Sequence, residues 1–205
     1  MASHRSRVDE ILEFWFGPAL ADPEALARQA ELWFKADPRF NQEVKTQFGR
    51  DLEAVAKGDL DTWRTSPRAR LAGIVLLDQF SRNIYRGTAR AFTQDPKALT
   101  LCLEAVATGE DRQLHPVERL FFYMPLQHGE DPEIQERSVR QFSALEQDAP
   151  QELKSYLKTT LDFAKEHRDI IRRFGRFPHR NAVLGRMSTP EEEEFLRTEA
   201  KRYGQ

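Results

Sequence analysis

Residues 66–84 read Ser66-Pro-Arg-Ala-Arg-Leu-Ala-Gly-Ile-Val-Leu-Leu-Asp-Gln-Phe-Ser-Arg-Asn-Ile84. The Ser66 hydroxyl can accept from the free N–H groups of a first helical turn. Pro67 suits the next position, where its missing N–H costs nothing. Leu71, Ala72, Ile74, Val75, Leu76, Leu77, Phe80 and Ile84 then make the stretch apolar on most sides, and a helix apolar all round belongs in the middle of a fold. The same opening recurs at Asp22-Pro23, Asp37-Pro38, Asp95-Pro96, Asp131-Pro132 and Thr189-Pro190, with weaker versions at His115-Pro116 and Ala149-Pro150. Eight of the eleven prolines are therefore placed to start helices rather than to break them.

The periodicity outward from this stretch agrees. Val8, Ile11, Leu12, Trp15 and Phe16 share one helical face, stopped by Gly17-Pro18. Leu26, Ala30, Trp33 and Phe34 mark a second helix, and Phe40, Val44, Phe48, Leu52 and Val55 a third that closes at Gly58. Further helices are expected over 96–108, 116–127 (with Pro125 as a kink or break), 132–146, 150–174 and 190–202, the last opening with a Thr189/Glu192 capping box. No strand alternation and no Asn-Gly hairpin turn interrupt this pattern. The expectation is one all-α domain over 1–205 with about nine helices, frayed at 1–5 and 203–205. Short connections imply antiparallel neighbours.

Composition narrows the function. With 31 basic and 33 acidic side chains the net charge is −2, which argues against nucleic acid and against a polybasic membrane surface as partners. The single cysteine, Cys102, excludes an intramolecular disulfide and reads as a small buried hydrophobe. No apolar run approaches the roughly 18 residues of a membrane span, and the first fifteen residues lack the features of a secretory signal. A cytoplasmic protein is expected. Phosphate loops, dinucleotide fingerprints, nucleophile elbows and His-Glu metal motifs are absent, so no metal and no cofactor are expected.

Three segments depart from a plain helical scaffold. The first is Asp78-Gln-Phe-Ser-Arg82-Asn83-Ile-Tyr-Arg86, whose Asp78, Arg82 and Arg86 share a face at i, i+4 and i+8. The second places Gln127 and His128 directly after the aromatic run Phe121-Phe-Tyr123. The third runs from His167 through Arg172, Arg176, His179 and Arg180 to Asn181. Its window 165–186 carries seven basic against two acidic side chains, net +5. Clustered guanidinium groups read as sites for carboxylate or phosphate. The opposing reading is structural: the window 127–152 is net −5, and the two could pair within one chain or across a homodimer.

These segments carry a family resemblance. Ile11–Gly17, Leu76–Phe92, Phe122–Asp131 and Ile170–Asn181 resemble the bacterial "domain of unknown function 924" family over about residues 6–200. The resemblance implies antiparallel helix pairs stacked as a TPR-like right-handed superhelix. It brings no activity, substrate or catalytic residues. The leading functional expectation is a binding protein. Asp78, Arg82, Asn83, Arg86, His128, His167, Arg172, Arg176, His179, Arg180 and Asn181 would gather around a small anionic ligand or a carboxylate-bearing peptide. The alternatives are an enzyme using His/Asp acid–base chemistry on an anionic substrate and a homo-oligomeric interaction scaffold.

Overall fold

The structure is a computed structural model that describes residues 6–35, 37–58 and 60–199. Among them are nine helices and no strand. They are α1 (Arg7–Phe16), α2 (Pro23–Phe34), α3 (Pro38–Lys57), α4, α5 (Asp95–Thr108), α6 (Pro116–His128), α7 (Pro132–Asp148), α8 (Gln151–Phe174) and α9 (Pro190–Thr198). Helix α4 runs as α-helix over Pro67–Ile74, as π-helix over Val75–Phe80 and as a last α turn over Ser81–Ile84. Residues 200–202, expected to continue the final helix, lie outside the described residues.

Local chemistry starts these helices as anticipated. The side chains of Asp22, Asp37, Ser66, His115, Asp131 and Thr189 each accept a first-turn N–H, and a proline follows each. The Thr189/Glu192 capping box forms, and His115 makes a second one with Glu118. Asp95 departs from the pattern. Helix α5 has Gln94 as its cap without a side-chain bond, and the Asp95 carboxylate is drawn to guanidinium groups instead. Pro125 does not break α6, which continues to His128; proline removes one backbone donor there, and packing on all sides holds the rest.

Helix α4 is the axis of the molecule. Leu71, Ile74, Val75, Leu76, Leu77 and Phe80 have no exposed surface, and α1, α3, α5 and α6 pack around them. Aromatic rings seal one end: Trp15 packs on Trp33, Phe80 and Phe121, and Phe48 packs on Phe14 and Phe80. Beyond this core α6, α7 and α8 pack in chain order, with short connections that make them antiparallel. A smaller apolar cluster of Ile170, Ile171, Phe177 and Phe195 fixes α9 against the end of α8. No helix among the described residues is long and apolar enough to cross a membrane.

Candidate functional site

The polar side chains meet where the C-terminal half of α4 passes the end of α6 and the turn after α8. The π segment places them. Ser81 N–H bonds to the Leu76 carbonyl, five residues back. The extra residue in that turn rotates everything after it relative to a continuous α-helix. Asp78 and Gln79 lie inside this segment, and Asp78 is fully buried.

Asp78 is held from several directions. Its Oδ1 lies 2.8 Å from His128 Nδ1 and 3.1 Å from an Arg82 terminal nitrogen, and its Oδ2 accepts from Gln79 Nε2 at 2.6 Å. Burial pushes its acidity toward the neutral form, but Arg82, His128 and Gln79 outweigh that and hold the carboxyl well below the usual range. Since a carboxylate only accepts, His128 Nδ1 carries the proton. The same Arg82 forks onto Asp95 at 2.8 and 2.9 Å and donates to the Asp78 carbonyl. Burial and Arg82 both hold His128 below the ordinary histidine value.

The third segment brings Arg180 and His179. Gly175 ends α8 in the left-handed conformation (φ 70°), which suits glycine because it has no Cβ, and Pro178–Arg180 follows as a 3₁₀ turn. Arg180 is 6 % exposed, and its guanidinium carbon lies 4.7 Å over the Phe92 ring and 4.6 Å over the Phe177 ring. Its Nη1 comes within 3.6 Å of Asp95, its Nε is buried without a partner, and its guanidinium makes no hydrogen bond to a described residue. Burial, then Arg82, push it down to about 10. His179 packs beside Phe177, whose ring also meets His167. His167 donates from Nδ1 to the Phe163 carbonyl at 2.8 Å, with Gln127 Nε2 3.4 Å from the same nitrogen. Burial takes His167 to about 3, and burial with Arg180 takes His179 to about 4.

Asp78, Arg82, His128, His167, His179 and Arg180 thus form one cluster. The other expected site residues make no hydrogen bond or ion pair with these groups. Asn83 donates to Asn41 on α3. Arg86 follows Ile84 in the turn that leaves α4, its Nε buried and unpartnered. Arg172 pairs with Glu136 at 2.6 Å, and Arg176 forks onto Glu192 at 2.7 and 2.8 Å. Asn181 ties Ser188, Glu192 and Arg186 together. Arg186 in turn forks onto Glu130, which also accepts from the Phe177 N–H. The acidic and basic windows therefore meet within one chain, at Glu130–Arg186 and Glu136–Arg172.

Sequence reasoning missed Asp95 and Phe92. Its Asp-Pro pattern gives Asp95 a capping role, and nothing local distinguishes it from Asp22 or Asp131. Two cavities open elsewhere. One of about 170 Å³ lies among Glu53, Lys57, Tyr85, Arg90 and Gln94, and one of about 280 Å³ lies among Glu166, Arg173, Phe174, Phe195 and Glu199. Neither is lined by the cluster, which meets the surface through the side chains of His128 (15 % exposed), Arg82 (13 %) and Asp95 (20 %). No group of histidine, cysteine and carboxylate side chains among the described residues is arranged to hold a metal ion.

The family model described as "Bacterial protein of unknown function (DUF924)" matches residues 11–200. The chain belongs to this family. A solved structure of a protein of unknown function from Agrobacterium tumefaciens is similar at 36 % identity and a TM-score of 0.76, with 92 % of this chain and 96 % of that one covered. No curated protein matches. The DUF924 match spans all three polar segments and the α4 axis that positions them.

Proposed function

We propose that this DUF924 protein binds a small anion at the α4–α6 cluster, with Arg180 as the anchoring cation and Arg82, His128 and His179 around it. One observation carries the reading. Arg180 is a guanidinium taken almost entirely out of water, yet no described residue accepts a hydrogen bond from it. Burial of a charge without hydrogen bonds costs several kcal/mol, whereas an incoming carboxylate or phosphate would accept from those donors. Phe92 and Phe177 keep water from much of the guanidinium, and a planar fork of donors suits a carboxylate or phosphate. Fold and compartment enter the same reading: a cytoplasmic binder on a TPR-like scaffold, supported by the antiparallel stacking of α6, α7 and α8.

The test is thermal unfolding in sodium formate, acetate and phosphate, each against sodium chloride of equal ionic strength. A ligand that binds only the folded state stabilises it by RT ln(1 + [L]/Kd), about 2.7 kcal/mol at a hundredfold excess over Kd. The wild type should gain stability in at least one of these anions and Arg180→Met in none. Equal behaviour of the two proteins in every salt overturns the reading. An acid–base enzyme acting on an anion is the second reading, favoured by the Asp78–His128 bond.

A further inference from the structure

Charge accounting at the cluster says what kind of anion fits. Two carboxylates, Asp78 and Asp95, face two guanidinium groups, Arg82 and Arg180. Glu130, at the α6–α7 connection, is matched by Arg186. Three histidines complete the surroundings: His128 on α6, His167 on α8 and His179 in the 3₁₀ turn. With these histidines neutral the cluster sums to zero, so an arriving anion leaves one negative charge uncompensated in a poorly solvated place. The group able to supply the compensating positive charge is His128. Its Nδ1–H already points at Asp78, so a second proton on Nε2 makes an imidazolium that stays paired with a carboxylate. Nε2 has no hydrogen-bond partner among the described residues, and the ring is 15 % exposed. His167 has its Nδ1–H committed to a backbone carbonyl, which offers no charge to stabilise an imidazolium.

We propose that the site takes a singly charged anion of the carboxylate class together with one proton, and that His128, aligned by Asp78, is the residue that carries the proton. The proposal rests on the anion site inferred above and adds its stoichiometry. The step is balanced: the anion enters as A⁻, His128 Nε2 accepts one H⁺ from buffer, and the cluster stays neutral. A dianion would need a second proton.

Isothermal titration calorimetry with sodium formate and acetate, in buffers of different ionisation enthalpy between pH 6 and 8, counts protons taken up per anion bound. Uptake approaching one proton near neutral pH is expected, with affinity falling by up to about tenfold per pH unit on the alkaline side. In His128→Gln the amide can still donate to Asp78, so anion binding should persist, weakened, with no proton uptake. Asp78→Asn, which keeps the shape and removes the charge, should lower the uptake as well. Sulfate should bind at least tenfold more weakly than formate. Anion binding with no proton uptake, or uptake unchanged in His128→Gln, overturns the proposal while leaving the anion site standing. Absence of any anion binding in the wild type overturns both.

Discussion

A guanidinium buried against two aromatic rings keeps its favourable ring contacts but loses water at up to five N–H donors. At Arg180 the protein replaces that water with a single 3.6 Å approach to Asp95, a carboxylate already forked onto Arg82. Residues kept for binding are often held at the expense of stability, and the prediction here follows. Arg180→Met preserves the apolar stem and the contacts with Phe92 and Phe177 while removing the buried charge. It should leave stability unchanged or raise it by about 1 kcal/mol, within the range seen when buried charges give way to apolar side chains. Chemical denaturation checks this. A loss beyond about 2 kcal/mol would mark Arg180 as a structural residue. The charged residues of the cluster other than Asp95 were visible in the sequence as stretches that break an otherwise apolar pattern. Their partners were not visible, because a carboxylate reads the same in sequence whether it caps a helix or meets an arginine.

At the scale of the element, the helix starts were legible because a cap and a proline act within four residues of each other. The π segment at Val75–Phe80 was not. Residues 71–77 are apolar on every side, so inserting one residue into the turn leaves burial unchanged and gives the periodicity nothing to report. Yet that insertion sets where Asp78 points. Helix α9 shows the converse, a local motif with a distant effect. Its capping-box glutamate, Glu192, is buried. It accepts from the Thr189 N–H at 2.8 Å, from Arg176 at 2.7 and 2.8 Å and from Asn181 at 3.2 Å. It thereby pins the 175–188 segment that presents His179 and Arg180. Glu192→Gln weakens the fork to Arg176 and should cost about 1–3 kcal/mol, the range for hydrogen bonds to charged groups. Hydrogen exchange should accelerate over 176–188 and α9 and stay unchanged in α4 and α6. Uniform acceleration through the molecule would show that the loop and the core open together instead.

At the scale of the whole molecule, the depressed histidines make stability depend on pH. Burial holds His167 at about 3 and His179 at about 4, against about 6.5 for the unfolded chain. Between those values the unfolded chain binds protons that the folded one does not. Stability is therefore present above about pH 6.5 and is lost as the pH falls toward 4. Asp78, held low by Arg82 and His128, acts in a separate window and loses its contribution only below about pH 4. Denaturation at pH 7 and pH 5 should show about 4 kcal/mol less stability at the lower value, about 2 kcal/mol from each histidine, with protons taken up on unfolding. His167→Gln should remove about half of that dependence; an unchanged slope would place the effect on other groups.

Taken alone, the sequence determined the helices: where each starts, which face is apolar, that α4 is central, and which three segments carry unusual charge. Those properties follow from interactions between residues a few positions apart. Only the tertiary structure decided that Asp78 meets His128 fifty positions away, that Asp95 leaves its cap for Arg82 and Arg180, and that Arg172 and Arg176 are spent on glutamates. Charges choose partners by proximity after the apolar faces have packed, and burial sets how strongly each choice matters.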